Sequence, residues 1–143
     1  MPRRKRGSKT RIGNRYDETQ VAAWAEKDDG VEQYPLDDGH YLVVAEMDSN
    51  VVGYGHFVPG EHEIRAVYVH PEYARQGVGS AILTHLEARA REDGLAHLKL
   101  WASHNAVEFY VRMGYQRVGK ETIEKRYEGK RVPLSVVVMR KSL

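Results

Sequence analysis

The sequence predicts an α+β fold on a mixed, mostly antiparallel central sheet, and three features carry that prediction. Two apolar runs, Tyr41–Met47 and residues 51–58, flank the turn triplet Asp48-Ser49-Asn50 and read as a β-hairpin. From Glu63 to Ala102 the order is strand, glycine-bearing loop, helix, strand, which requires two parallel strands joined by a crossover. A second hairpin, Gln116–Tyr127 and residues 132–141 across Glu128-Gly129, closes the chain. Because the parallel part is a single βαβ unit between hairpins, the order is not that of a doubly wound dinucleotide-binding sheet.

The other elements follow from local chemistry. Asp17 with Gln20 three residues on has the form of a capping box. It starts a helix over residues 18–27 whose apolar face is Val21, Ala22, Trp24 and Ala25. Glu63–Val69 alternates and is rich in β-branched and aromatic side chains, so it is a third strand, stopped by Pro71. A helix over residues 80–93 places Ile82, Leu83, Leu86 and Ala90 on one side, with Gly94 as its stop. His97–Ala102 is the second parallel strand. Residues 105–113 form a short amphipathic helix, capped by Ser103 or Asn105 and ended by Gly114.

A length of 143 residues fits one domain. Cysteine is absent, which excludes a disulfide framework, a thiolate nucleophile and a sulfur-ligated zinc site. No apolar run approaches the roughly 20 residues of a membrane helix. The amino terminus lacks the apolar stretch of a signal peptide, so a cytoplasmic protein with no membrane partner is expected. Seven basic side chains and no acid fall in residues 1–15, which leaves the remainder net acidic. Residues 1–14 read as a basic flexible tail and residues 15–143 as the single domain. A dedicated nucleic-acid binder would be basic on its folded body, so nucleic acid is an expected partner only through the tail.

The segment Arg75-Gln76-Gly77-Val78-Gly79-Ser80 runs from a strand end into a helix. Such a turn exposes unpaired backbone N–H groups reinforced by the helix dipole, and glycine admits an anion closely. Residues 76–80 are therefore a candidate phosphate cradle, with Arg75 as an added cation. The competing reading is an ordinary tight connection. A P-loop is excluded by the absence of Gly-Lys-Ser/Thr.

The order of parts and three words in the sequence together resemble the GNAT superfamily of acyl-CoA-dependent N-acyltransferases. The words are Glu63-Ile64-Arg65-Ala66-Val67-Tyr68-Val69-His70-Pro71-Glu72-Tyr73, then Arg75-Gln76-Gly77-Val78-Gly79-Ser80-Ala81-Ile82-Leu83, then Asn105-Ala106-Val107-Glu108-Phe109-Tyr110 closing at Met113-Gly114-Tyr115. The resemblance covers about residues 41–143. It implies helices on both faces of the sheet, parallel strands that splay apart, and acetyl-CoA as co-substrate, its pyrophosphate on the amides of Gln76, Gly77, Val78, Gly79 and Ser80. It implies a pantetheine arm paired with the backbone of Val67, Tyr68 and Val69, Asn105 bonding that arm, and Tyr110 near the sulfur. This chain has Ala74 where the family usually carries Arg or Gln, and no acid on the strand His97–Ala102. Its region before Tyr41 is short, with residues 10–16 a weak candidate for a first strand. The substrate wall is thus either abbreviated or completed by a second copy in a homodimer.

Acyl transfer from a thioester to an amine needs a base for the ammonium, a donor for the developing oxyanion and a proton for the departing thiolate. Glu63 is the candidate base, with Glu61 and His62 as neighbours able to substitute; the alternative is a solvated strand entrance. Tyr110 is the candidate acid; the alternative is a core aromatic. Asn105 reads either as an N-cap or as a cofactor contact. A metal held by His56, Glu61, His62 and Glu63 is the poorer reading, because neighbours on a strand point to opposite faces. The expected function is direct acetyl transfer from acetyl-CoA to a primary amine of a small molecule, peptide or protein, without a metal. The alternative is a non-catalytic CoA-binding or nucleic-acid-associated module using the tail.

Overall fold

The structure, a computed structural model, describes the strand of residues 11–13 and, with their side chains, residues 39–143. Seven strands form one sheet: β1 (Arg11–Gly13), β2 (Tyr41–Met47), β3 (Asn50–Val58), β4 (Glu63–Val69), β5 (His97–Ala102), β6 (Gln116–Tyr127) and β7 (Lys130–Ser142). Their spatial order is β1-β2-β3-β4-β5-β7-β6, and only β4 and β5 run parallel. The two α-helices described are α1 (Val78–Glu92) and α2 (Val107–Arg112). β2, β4, β5 and β6 have the bounds expected from the sequence. The weak candidate near residue 12 is β1, which pairs antiparallel with β2 from Arg11 opposite Glu46 to Gly13 opposite Val44. Three residues assigned to the tail are thus an edge strand. The rest of the basic run and the helix expected over residues 18–27 lie outside the described residues.

Two expectations about helix ends are corrected. α1 begins at Val78 rather than Ser80, because Gly77 takes a left-handed conformation (φ 82°) and is itself the N-cap residue. A side chain is strained there and glycine is not. The second helix starts as a 3-10 turn over His104–Ala106 and becomes α-helical at Val107. Neither Ser103 nor Asn105 caps it through a side chain.

Both helices feed one core. Ile82, Leu83 and Leu86 of α1 have no exposure, and Val107 and Tyr110 of α2 join them against Val43, Phe57, Ile64, Leu98, Leu100 and Met139. Each such aliphatic side chain contributes about 1.5–3 kcal/mol by leaving water. α1 lies so close to β3 that a Cβ on Gly55 would stand 2.6 Å from Ile82 Cγ2. The opposite face of the sheet carries a smaller cluster of Leu42, Val44 and Tyr54, with Ala66 and Tyr68 packed on it.

One buried charge ties the layers together. Glu87 of α1 accepts from the Tyr115 hydroxyl at 2.8 Å and from Lys141 Nζ at 3.1 Å. Lys141 also donates to the Met113 carbonyl at 2.8 Å, at the end of α2. Beyond Ala102 opposite Val137, β6 and β7 continue as a two-stranded ribbon past the end of β5.

Candidate active site

β4 and β5 meet at one register position, Glu63 opposite Lys99, where the Lys99 N–H donates to the His62 carbonyl at 2.9 Å. Past that point they part. The cause is on the other edge of β4: His56 of β3 faces Ala66 and Phe57 faces Ile64, so Arg65 is an extra residue without a partner. A bulge of this kind bends and twists its strand.

The bulge also reverses the strand's phase. Unbroken alternation would put Glu63, Arg65, Val67 and Val69 on one face. Instead Ile64, Val67 and Val69 pack on the helix side, while Ala66 and Tyr68 pack on the other. Glu63, adjacent to Ile64, therefore points away from the helices. Tyr68 stacks on Tyr54 with ring centroids 5.4 Å apart.

On the helix side a cleft of about 760 Å³ lies between β4 and α2 with its leading 3-10 turn. Val67 and Val69 form one wall, and Asn105, Phe109, Tyr110 and Arg112 the other. Its outer end is the turn Ala74-Arg75 with Gly77, Val78, Gly79 and Ser80. Arg75 and Gly77 both have positive φ, 62° and 82°. The first amide of α1 to find a carbonyl is that of Ala81, bonded to Gly77 at 3.0 Å, so those of Gly77, Val78, Gly79 and Ser80 have no acceptor within the helix. Ala74, Arg75 and Gln76 are exposed, so the turn is open. A Cβ on Gly79 would already touch the Phe109 ring at 3.4 Å, so substituents there would narrow the passage.

Of the sequence-predicted residues, Val67, Val69, Arg75, Gly77, Val78, Gly79, Ser80, Asn105 and Tyr110 line the cleft. Gln76 and Tyr68 do not line it. Glu63 sits at the junction of the strands. Sequence reasoning missed Tyr73, Phe109 and Arg112. The last two, with Asn105, follow spacings of four and three that share a helix face, which was the available signal.

Tyr110 is 8% exposed. Burial pushes its phenol up to about 12. Its ring meets Phe109 and Tyr115 edge-on, at 5.0 and 5.7 Å between centroids. Glu63 is also buried, and burial raises its carboxyl above the usual carboxylate value against the opposing pull of Arg65. Arg65 Nε donates to Glu63 Oε1 at 3.3 Å, and its Nη2 pairs with Glu61. His56 of β3 is fully buried and pushed down to about 4, first by burial and then by His40, whose Nδ1 lies 2.7 Å from His56 Nε2. Among the described residues no group of three His, Asp or Glu side chains is placed to hold a metal, and no helix is long and apolar enough to cross a membrane.

The fold and cleft define an acetyltransferase of the GNAT type. The model of the acetyltransferase (GNAT) domain matches residues 12–131, and the chain belongs to that family of acyl-CoA-dependent acetyltransferases. It is similar to YafP, an uncharacterized N-acetyltransferase of Escherichia coli, at 33% identity over 78% of this chain and 69% of that protein. Among solved structures it is similar to a GCN5-related N-acetyltransferase of Rhodopseudomonas palustris, with a TM-score of 0.68 and 31% identity over 90% of this chain and 78% of that one. The PaiA N-acetyltransferase of Thermoplasma acidophilum, solved with coenzyme A, shares the fold at a TM-score of 0.59 and 19% identity, over 73% of this chain and 62% of that one.

Proposed function

We propose that this chain moves an acetyl group from acetyl-CoA directly onto a primary amine of a small molecule, peptide or protein. The observation that carries the reading is the parting of β4 from β5 after one register position, beside a helix start whose amides are open. The bound co-substrate supplies the thioester carbonyl; a solved relative of the same fold holds coenzyme A.

The division of labour follows from the two faces of β4. The free amides of Gly77, Val78, Gly79 and Ser80 suit a diphosphate, because a helix start gathers partial positive charge and spends no side-chain entropy on the anion. Arg75 adds a full charge at the rim. Val67 and Val69 offer a bare strand edge and apolar side chains to an extended arm, and Asn105, relieved of capping, is open to hydrogen-bond it. An amide on that edge polarises the carbonyl as charge builds on its oxygen.

Glu63 faces away from the helices, so an amine reaching the junction from that side meets a carboxylate while the acyl donor enters from the other. That carboxylate accepts the ammonium proton, directly or through one water. Tyr110 lies on the cofactor side and hands its proton to the departing thiolate. Burial disfavours charge on both groups, so the raised phenol faces a thiolate whose own basicity is raised by the same surroundings.

A screen of primary amines for release of free coenzyme A thiol tests the reading. Release that depends on one class of amine is expected. No release with any amine, together with no rise in Tm at millimolar acetyl-CoA, would leave the binding-module alternative in its place.

A further inference from the structure

The geometry points to Arg65 as the positioning residue for Glu63: the extra residue of the β4 bulge lays its guanidinium back along the strand, where one planar cation spans Glu61 and Glu63 and fixes the Glu63 carboxylate at the strand junction. This rests on the reading of Glu63 as the base.

The bulge gives Arg65 both its freedom and its task. Having no partner on β3, it is released from the ladder register that holds its neighbours. The Arg65 side chain is 29% exposed, Glu61 53% and Glu63 11%, so the cation runs from solvent at one carboxylate to a buried one at the other. Guanidinium suits this because its fixed fork can satisfy two acceptors at once, where an ammonium acts as a point charge. The bond to Glu63 is made through Nε to one carboxylate oxygen, Oε1.

The charges around Glu63 set the sign of the effect. Arg65 is the opposite charge in contact, and Glu61 is a like charge that Arg65 itself neutralises. Lys99 and His97 come from β5, Arg140 stands opposite Lys99 on β7, and His56 stands opposite Ala66 on β3. Burial holds His56 neutral, and His97 is lowered, first by burial, with Arg140, His62 and Lys99 adding to it. Without Arg65, burial and Glu61 both oppose a charge on Glu63, and the carboxylate takes up its proton at a higher pH.

The test follows the side-chain carboxyl carbons by ¹³C NMR across pH in the full chain, with Glu63 assigned by the signal lost in Glu63→Gln. Arg65→Gln is expected to raise the Glu63 midpoint by about one pH unit. Arg65→Lys, which keeps the charge and loses the fork, should return it close to the wild-type midpoint. The rise in Tm on adding acetyl-CoA should be the same in all three proteins. With an amine that supports thiol release, Arg65→Gln should move the acidic limb of kcat upward by the same amount, with KM for acetyl-CoA unchanged. A lower Tm with an unmoved Glu63 midpoint makes Arg65 a merely structural residue and overturns the assignment. Full turnover in Glu63→Gln sinks the base reading instead, whatever the titration of Arg65→Gln shows.

Discussion

Glu63 faces Lys99 across the single register position that joins β4 to β5. The candidate base is therefore the residue at which β4 is held against its parallel neighbour, and further along the strand Val67 and Val69 line the cleft. Burial lifts its carboxyl above the usual range. A base must be ionised to accept a proton, so kcat should rise with pH through that raised midpoint. Glu63→Gln is expected to lower kcat by about 10²- to 10⁴-fold and to erase the limb. A pH–rate profile that keeps its shape in the variant moves the base elsewhere.

The same group has a stability consequence of definite sign. A carboxyl whose folded value is raised binds its proton more tightly in the native state than in the unfolded chain. Its contribution is whole below the unfolded value and is lost as pH climbs through the folded one. Glu63→Gln, which carries no charge, should gain on the wild type as pH rises from about 4, near the unfolded value, through the raised folded one. Urea midpoints of the two proteins at both ends check this; a difference constant with pH contradicts it.

Tyr110 separates chemistry from stability. Its value of about 12 keeps the phenol protonated through the neutral range, the form a proton donor requires. Removing the hydroxyl leaves the ring contacts with Phe109 and Tyr115 in place. Tyr110→Phe should cost about 10²-fold in kcat with Tm and acetyl-CoA affinity nearly unchanged. Persistent turnover would make Tyr110 a packing residue.

Gly79 tests the cradle. Its Cβ position is 3.4 Å from the Phe109 ring, so a small side chain fits and a long one fills the passage toward the open amides. Gly79→Leu should raise Kd for acetyl-CoA by about tenfold or more, the loss of roughly 1.4 kcal/mol of contact. The apo Tm should move little, since helix propensity favours leucine over glycine. Unchanged affinity would place the diphosphate elsewhere.

These residues differ in how far the sequence announces them. The hairpins were legible from their turns at Asp48-Ser49-Asn50 and Glu128-Gly129, though β3 begins one residue earlier than expected and β7 runs from Lys130 to Ser142 rather than over residues 132–141, because pairing with the partner strand carries the ladder up to the turn. The glycine loop was legible because only a few backbone arrangements join a strand end to a helix start. Arg65 was not, since a bulge is a mismatch between two strands and neither strand alone records it. One trace is present: along Glu63-Ile64-Arg65-Ala66-Val67-Tyr68-Val69 the polar side chains stop at Arg65 and apolar ones take over at Val67, where the phase reverses. Gly55 carries no such signal: it is where α1 settles on β3, a fact set by the crossover. Glu87 stands at helical spacing from Leu83 and Ala90, and its partners Tyr115 and Lys141, which the helix alone does not record, come from far along the chain.

His56 predicts an acid-sensitive fold. Held down to about 4 by burial and by His40, it stays neutral in the native state while an unfolded histidine protonates near 6.5. Its stabilising contribution is whole above the unfolded value and is lost as pH falls toward 4. The urea midpoint of the wild type should therefore drop between about pH 6.5 and pH 4, and His56→Asn should flatten the drop. Equal slopes in the two proteins would assign the acid sensitivity to another group.

Lys141 and Glu87 make the sharpest stability prediction. The Glu87 side chain is 5% exposed and Lys141 21%, and one ammonium bridges Glu87 to the Met113 carbonyl. Lys141→Met keeps the stem's packing and leaves a buried carboxylate with the Tyr115 hydroxyl alone. Breaking one partner of a buried pair costs about 3–5 kcal/mol, and the residual exposure of Lys141 favours the lower end. Glu87→Gln removes the charge and keeps an acceptor for Tyr115, so it should cost less than Lys141→Met. The double variant should recover part of the single loss, because no charge is then stranded. Chemical denaturation of the three proteins decides it: strictly additive losses would mean that the two side chains do not act as a pair.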